Sequence, residues 1–375
     1  MATPHGITAD TRAVLEACGA VVVTGGAGEP IGAVLLVGGL LLSAASGVGV
    51  RLTASRRLPR PVRRFAHQLI LASRCLTEAA ALRAGRRAFA PARPVAVILT
   101  AAEGLHALVA ALSGLSHLRC VHEVDTTEDG PLRRLGATAR GHSAAVVALC
   151  PTPSVHAEVR ARFPHLDTRV VPFALADAGA YIPDAERAVA RERIGAGDAE
   201  RVLCLVGGWW VHKDIATVER ALDLASMPLH LIAAGSPMDP KVLQRIDALP
   251  HVVLHTQHRP LPRAQLREVY AAADATIVAR TAVAGKESGL VADAANHGVA
   301  LLLSTADADL VARLRGQPWA RVLRPGDAGA LAAALDGPLP ARPHPEASAE
   351  LGLMSPAPAL ACFTSIAADI TRRIR

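Results

Sequence analysis

The sequence predicts an α/β protein built from two doubly wound, parallel-sheet domains. Three observations lead there. Short apolar runs of strand length end in glycine or proline, amphipathic stretches of helix length alternate with them, and 375 residues that are 51% hydrophobic exceed what one core usually organises. Ligands in such sheets bind beyond the carboxyl ends of the strands, so the loops that follow the strands are where a site is sought.

The alternation is clearest in the second half. Residues 201–206 form a strand that stops at Gly207-Gly208, and the next segment places Ile215, Val218, Ala221, Leu222 and Ala225 on one helical face. Strands over 230–234, 252–255, 275–279 and 299–304 then alternate with helices over 240–249, 263–273 and 289–298. The first half repeats the pattern with strands over 20–24, 48–55, 94–99, 118–121, 143–149 and 168–172, and helices over 103–115 and 154–163. Its first strand breaks at Gly25-Gly26, a flexible loop that suits either contact with a ligand or a plain tight turn. Its 118–121 strand delivers His122 at the carboxyl end. A turn-rich passage from Ala174 to Gly197 marks the boundary. The domains are therefore 1–175, 176–345 and a closing segment, 346–375, that ends in an amphipathic helix over 359–374.

Composition excludes several classes. The net charge is +7 and arginines cluster between Arg51 and Arg64, but aromatics make up 3% of the chain and only Phe65 adjoins that cluster. Nucleic acid finds few stacking platforms there, so the cluster reads as a solvated basic face, with peripheral contact to an anionic membrane as the next reading. Residues 31–50 carry no charge and are long enough to span a bilayer, yet five glycines dilute them, and they read as a buried helix. The stretch starts too late, and lacks the charged leader, for a cleavable signal peptide. The six cysteines have no paired spacing, several fall in apolar runs where they read as core residues of a cytoplasmic protein, and no metal-binding spacing occurs.

Lysine occurs three times against 37 arginines, and two of the three lie in candidate loops: Lys213, after Gly207-Gly208-Trp209-Trp210, and Lys286, before Glu287-Ser288-Gly289. In a chain that has turned nearly every cation into arginine, a compact ammonium at those points stands out.

Taken in order, these parts resemble the retaining GT-B glycosyltransferases of the "group 1" (glycosyltransferase family 4-like) kind, of an actinobacterial type. The likeness is clearest from about Val146 to Leu335. Gly25-Gly26 is similar to the family's glycine-rich loop, His122 to its strand-end histidine, and Val170-Val171-Pro172 to its interdomain turn. The family's second domain opens with a strand, a glycine, an arginine and, five residues on, a lysine. Lys213 takes the lysine position, and Gly208 stands where the arginine is expected, leaving Arg280 or Lys286 as the replacement cation. Of the family's two glutamates, the second maps to Asp293 when anchored on Gly298, and the first falls at Gly285, two residues short of Glu287.

The resemblance implies a two-domain enzyme with a cleft between its domains. It would move a sugar from a nucleoside diphosphate sugar (GDP, UDP or dTDP) to a small acceptor of natural-product type, with retention and without metal or other cofactor. A diphosphate leaving group is best met by a cation and by backbone amides at a helix start. Lys213 supplies the first, and Ser288, Gly289 and Leu290 the second, with Gly208 and Lys286 beside them. Asp293 would accept the ribose diol and Glu287 would hold sugar hydroxyls. His122 would face the reacting carbon, with Gly25 and Gly26 on the acceptor side. Duller roles stay open: a turn cap for Lys213, a helix-dipole charge for Asp293, a satisfied strand-end group for His122. Trp209-Trp210 suits base stacking or a plug, and His212, His297 and Arg280 are second-rank candidates. Two readings from other classes stand beside the main one, a non-catalytic GT-B interaction protein and a nucleotide-sugar epimerase on the same fold.

Overall fold

A computed structural model describes Arg12 and residues 59–89, 95–99, 105–121, 146–175, 177–210, 212–281 and 288–374. The expected strands over 20–24 and 48–55 lie outside the described residues, as do residues 31–50. The chain folds as two units, one holding the described residues up to 175 together with those from Ser355 on, the other holding the described residues between Asp177 and Met354.

The first unit is a parallel sheet in the order β1 (Ala96–Ile98), β2 (His117–Cys120), β3 (Val146–Cys150), β4 (Asp167–Val170). Its register pairs Val97 with Leu118, Leu118 with Val147 and Ala148 with Thr168. Helix α1 (Arg60–Ala88) covers one part of it through Leu71, Cys75 and Leu82, which pack with Leu105, Val109 and Leu115 around α2 (His106–Ser113). Helix α3 (Pro153–Arg162) starts at Thr152, whose hydroxyl accepts from the Val155 amide, and buries Val155 and Val159 against β3. The terminal helix α12 (Pro356–Ile374) is tied to β4 by Arg169–Asp369 at 3.2 Å and Arg373–Asp167 at 2.8 Å.

Helix α1 is an element the sequence reading does not assign: the reading gives the residues from Arg51 to Arg64 as a basic face and leaves the rest of 60–88 without an element. Its apolar spacing is helical, but arginines at seven of its 29 positions dilute it. The helix also supplies the partner of a buried arginine. Arg119, in the middle of β2, is 1% exposed; its Nη2 donates to Glu78 of α1 at 2.9 Å and its Nη1 lies 3.2 Å from His117 Nε2. Burial and the neighbouring guanidinium push His117 down to about 4, so the ring is neutral. Nδ1–H then donates to the Leu115 carbonyl at 2.9 Å while Nε2 accepts from Arg119.

In the second unit all six strands are parallel, and they follow from β5 (Arg201–Val206), β6 (Leu229–Ala234), β7 (Val252–Gln257), β8 (Ala275–Ala279), β9 (Ala300–Ser304) and β10 (Ala320–Leu323). Their spatial order, β10-β9-β8-β5-β6-β7, is the doubly wound order of dinucleotide-binding folds, with the reversal between β5 and β8. Leu203, Leu205, Leu229, Leu231, Ile277 and Leu302 face one layer of helices, and Val202, Cys204, Val206, Ile232, Ala234 and Val299 face another part of the core. Strands buried on both faces read as unbroken apolar runs, which is why the sequence locates β5, β6, β8 and β9. The expected helix over 240–249 is α6 (Pro240–Asp247), capped by Asp239. Strand β10 and the flanking helices α9 (Ala308–Leu314) and α10 (Ala328–Asp336) escape the sequence reading, as does the single turn α11 (Ala347–Glu350). The four strand residues of β10 are only half-buried and include Arg321, so they lack the buried-strand signature.

Helix α4 (Asp184–Arg193) is pinned to this sheet by Asp274, just before β8. Asp274 accepts from Arg187 Nη2 at 3.0 Å, Arg191 Nη1 at 2.9 Å and the Val202 amide at 2.8 Å. Cys75, Cys120, Cys150 and Cys204 are buried free thiols, each pushed up to about 12 chiefly by burial, which keeps them protonated and inert. Cys362 is half-buried and Cys18 lies outside the described residues. Among the described residues no helix is long and apolar enough to cross a membrane.

Candidate functional site

The reversal of strand order in the second unit creates a crevice at the carboxyl ends of β5 and β8, and both candidate loops lead away from it. Gly207 leaves β5 with φ +92°, a left-handed conformation that side chains disfavour, and its amide donates to the Ala234 carbonyl at 2.8 Å. Gly208 then runs against the loop after β6. A Cβ at 208 would meet the Ser236 carbonyl carbon and the Trp210 indole nitrogen, each at 2.8 Å. Gly235 completes the contact from the other side, because a Cβ there would lie 2.5 Å from the Gly207 carbonyl carbon. The Trp209 amide bonds across this seam to the Pro237 carbonyl at 2.6 Å. The absence of the expected arginine at 208 is thus built into backbone packing.

Trp209 packs on the core of the unit and Trp210 is 50% exposed, so the pair divides between plug and surface. The turn closes with the Lys213 amide donating to the Trp210 carbonyl at 2.8 Å. Residues 212–214 then run antiparallel to 279–281, through Asp214 N to Ala279 O at 3.1 Å and Thr281 N to His212 O at 3.0 Å, with Lys213 directly opposite Arg280. Opposed residues of an antiparallel bridge project to the same side, about 4.5–5.5 Å apart at Cβ. Two cations are therefore presented together at the sheet's switch point, Lys213 half-buried and Arg280 buried. Directly after them Asp214 caps helix α5 (Ile215–Leu224), its carboxylate accepting from the Thr217 amide at 3.2 Å and the Thr217 hydroxyl at 2.7 Å.

The second loop reaches helix α8 (Gly289–His297). Ser288 is its buried N-cap and makes no side-chain cap bond, and its carbonyl accepts from Val291 and Ala292. A helix leaves its first amides without intrahelical partners, so Gly289 and Leu290 offer donors at the positive end of the dipole. The helix ends at Gly298 with φ +71°, where a Cβ would lie 2.7 Å from the Tyr181 ring. Lys286 and Glu287 lie outside the described residues, as do Gly25, Gly26 and His122.

Asp293 departs from the simplest expectation. Its Oδ2 accepts from the Tyr270 hydroxyl at 3.2 Å, on helix α7 (Arg263–Ala272), which leaves Oδ1 without a hydrogen-bond partner among the described residues. Burial, with Asp177 nearby, raises Asp293 to about 7 against the pull of Tyr270 and Arg263. His297, a second-rank candidate, is a structural group: its Nδ1 lies 3.2 Å from the Ala180 carbonyl and its ring 5.3 Å from that of Tyr270. Among the described residues no cluster of three or more His, Cys, Asp or Glu side chains is placed to hold a metal.

In the first unit, Val121 leads directly to His122. Beside it Cys120, Leu149, Val171, Phe173 and Phe363 line a cavity of about 20 Å³, room for one water.

Sequence reasoning misses the Lys213–Arg280 pairing and the Gly208–Ser236 contact. The first has a signal in the cation that ends β8. The second has none, because Ser236 is 28 positions away and only the fold brings it back.

No protein-family model matches this chain, and no curated relative does. Solved structures do. The chain is similar to a glycosyltransferase from Rickettsia africae ESF-5 (12% identity, 71% of this chain and 73% of that one, TM-score 0.55). It is similar to the lipopolysaccharide outer core galactosyltransferase WaaB in its apo form (14%, 80% and 80%, 0.52). It also resembles a UDP-forming α,α-trehalose-phosphate synthase from Burkholderia xenovorans (16%, 84% and 80%, 0.51). At these identities the likeness is one of fold, and that fold, with a Rossmann-like parallel sheet in each of two units, is the GT-B fold.

Proposed function

We propose that this protein is a glycosyltransferase that takes its sugar from a nucleoside diphosphate sugar, with retention of configuration and without a metal ion. The observation that carries the proposal is the Lys213–Arg280 bridge at the switch point of a doubly wound sheet. A diphosphate leaving group gathers negative charge as the glycosidic bond breaks, and two cations set opposite each other at the head of a crevice are placed to oppose that charge. In this reading Lys213 and Arg280 hold the diphosphate, Arg280 replacing the cation that Gly208 cannot carry. Ser288, Gly289 and Leu290 add helix-start donors, and Asp293 turns its unpaired Oδ1 to the ribose diol. The roles of Glu287 at the sugar, of Lys286 near the phosphates and of His122, Gly25 and Gly26 on the acceptor side belong to the same proposal.

The direct test is thermal stability against GDP, UDP, dTDP, ADP and CDP, since a ligand at about 100 times its dissociation constant adds about 2.7 kcal/mol. One clear responder assigns the donor class. Silence across all five overturns the reading in favour of a non-catalytic GT-B protein, which the glycine at 208 would then explain. Turnover of the nucleotide sugar with no acceptor would point instead to the epimerase.

Lys213→Ala is expected to weaken a nucleoside diphosphate by roughly 1.5–3 kcal/mol, the range for a charge-assisted hydrogen bond, and inorganic pyrophosphate by as much. Unchanged affinity, measured by calorimetric titration, removes Lys213 from the site. Asp293→Ala separates the two ligands: the nucleotide should weaken while pyrophosphate holds. Equal losses would take Asp293 off the ribose.

A further inference from the structure

The loop that carries Lys213 also carries an indole that the fold leaves unengaged. Trp319 is fully buried, and Trp209 packs on the core with its indole nitrogen sealed from solvent, whereas half of Trp210 is exposed. Its ring makes no hydrogen bond or ring contact with any described residue. It is nonetheless held in place. The Trp210 carbonyl accepts from the Lys213 amide at 2.8 Å, and the indole nitrogen lies 2.8 Å from where a Cβ at Gly208 would stand, so the nitrogen edge of the ring rests over the end of β5. The unit's other exposed apolar side chains lie elsewhere: Leu224, Met227 and Val253 toward the amino ends of β6 and β7, and Val189 on α4. Trp210 alone of these stands at the carboxyl edge of the sheet, where ligands of such folds bind.

The order of groups along that edge decides what would lie on the indole. Helix α8, with Ser288 and Asp293, stands beside β8 and β9; Lys213 faces Arg280 between β5 and β8; the indole lies over β5 on the β6 side, where Gly208 meets Ser236. In the proposed donor site Asp293 takes the ribose and the two cations take the diphosphate. The nucleoside is one end of a nucleoside diphosphate sugar and the sugar is the other, so the group carried past the cations toward β6 is the sugar. A pyranose ring presents an apolar face of C–H bonds between its hydroxyl edges. The face of an indole, apolar and rich in π electrons, matches it.

We infer that Trp210 is a sugar-binding residue, its indole the platform on which the C–H face of the donor's sugar packs. This role rests on the donor site proposed above, and it supplies a contact that a nucleoside diphosphate sugar makes and the bare nucleoside diphosphate does not.

The test is acrylamide quenching of tryptophan emission, with calorimetric titration beside it, for the full chain with UDP, GDP, dTDP, ADP and CDP and with the glucose derivative of each. Trp210 is the tryptophan open to solvent, so it is the one that acrylamide reaches. The nucleoside diphosphate that binds is expected to leave the quenching as it is, and its glucose derivative to suppress it. Trp210→Ala should bind the nucleoside diphosphate as the wild type does and the glucose derivative about tenfold more weakly, the loss of one buried aromatic face. Trp210→Phe, which keeps such a face, should recover most of that loss, and both variants should melt as the wild type does. Equal losses for the two ligands in Trp210→Ala would put the indole under the base or the phosphates, and a glucose derivative that binds without suppressing the quenching would take the indole off the ligand. Either result overturns the role of Trp210 and leaves the donor site standing. Binding of none of the ten ligands by the wild type overturns the donor site and this role with it.

Discussion

Asp293→Asn is expected to stabilise the second unit by about 4 kcal/mol at pH 8 and by only about 1 kcal/mol at pH 4.5. The folded carboxyl titrates at about 7, against an ordinary value of 3.8, with burial as the largest cause. A raised acid binds its proton more tightly when folded, so the sign is fixed. Below the unfolded value both states are protonated and the group costs nothing. Between there and pH 7 the unfolded chain releases its proton first, and stability falls by about 1.4 kcal/mol per pH unit. Above pH 7 both states are ionised and the whole cost remains. Asparagine never ionises, and its carbonyl oxygen still accepts from the Tyr270 hydroxyl. Urea unfolding of both proteins at the two pH values measures the difference. A gain that does not change with pH would mean that Asp293 is solvated in the fold and that its carboxyl titrates normally.

A carboxyl that costs stability at neutral pH is the kind of group that a fold retains for a ligand. Under the proposed function the ribose diol donates to Oδ1 and compensates the charge, so nucleotide binding should be accompanied by proton release near pH 7. Tyr270 then holds the carboxylate in position from the opposite side.

What could be read from the sequence follows from where each signal resides. Strands β5, β6, β8 and β9 are buried on both faces, so their own residues declare them, and the strand-turn-helix passage through Lys213 is legible from local pattern alone. Helix α1 is not, because its apolar positions are interleaved with arginines and its core partners Leu105 and Val109 lie in another segment of the chain. Helical spacing sets Asp293 on α8, but not its direction, since the phase of a helix does not say that Tyr270 from α7 is its neighbour. The pairing of Lys213 with Arg280 joins residues 67 positions apart, and only the closing of the sheet brings them together. Local pattern thus carries the fold and half of the candidate site; the other half exists only between elements.

Restoring the arginine at 208 is expected to damage the protein. In Gly208→Arg the new Cβ falls at 2.8 Å from the carbonyl carbon of Ser236 and the indole nitrogen of Trp210, and the first of these neighbours is backbone. On the other side of the seam Gly235, with φ +144°, leaves no more room, since a Cβ there would meet the Gly207 carbonyl carbon at 2.5 Å. The loops after β5 and β6 must separate, at a cost of at least about 3 kcal/mol, the upper end for overpacking, and with them goes the bond from the Trp209 amide to Pro237. The unit should melt at least about 6 °C lower, and nucleoside diphosphate affinity should fall because Lys213 is carried on the displaced loop. Gly208→Ala separates sterics from charge. It places the same Cβ with no guanidinium, and should lose as much stability as the arginine variant. If Gly208→Arg instead melts normally and binds nucleotide more tightly, the seam between the two loops is soft. The glycine would then mark a lost contact to the diphosphate, and the case for Arg280 as the replacement cation would fail.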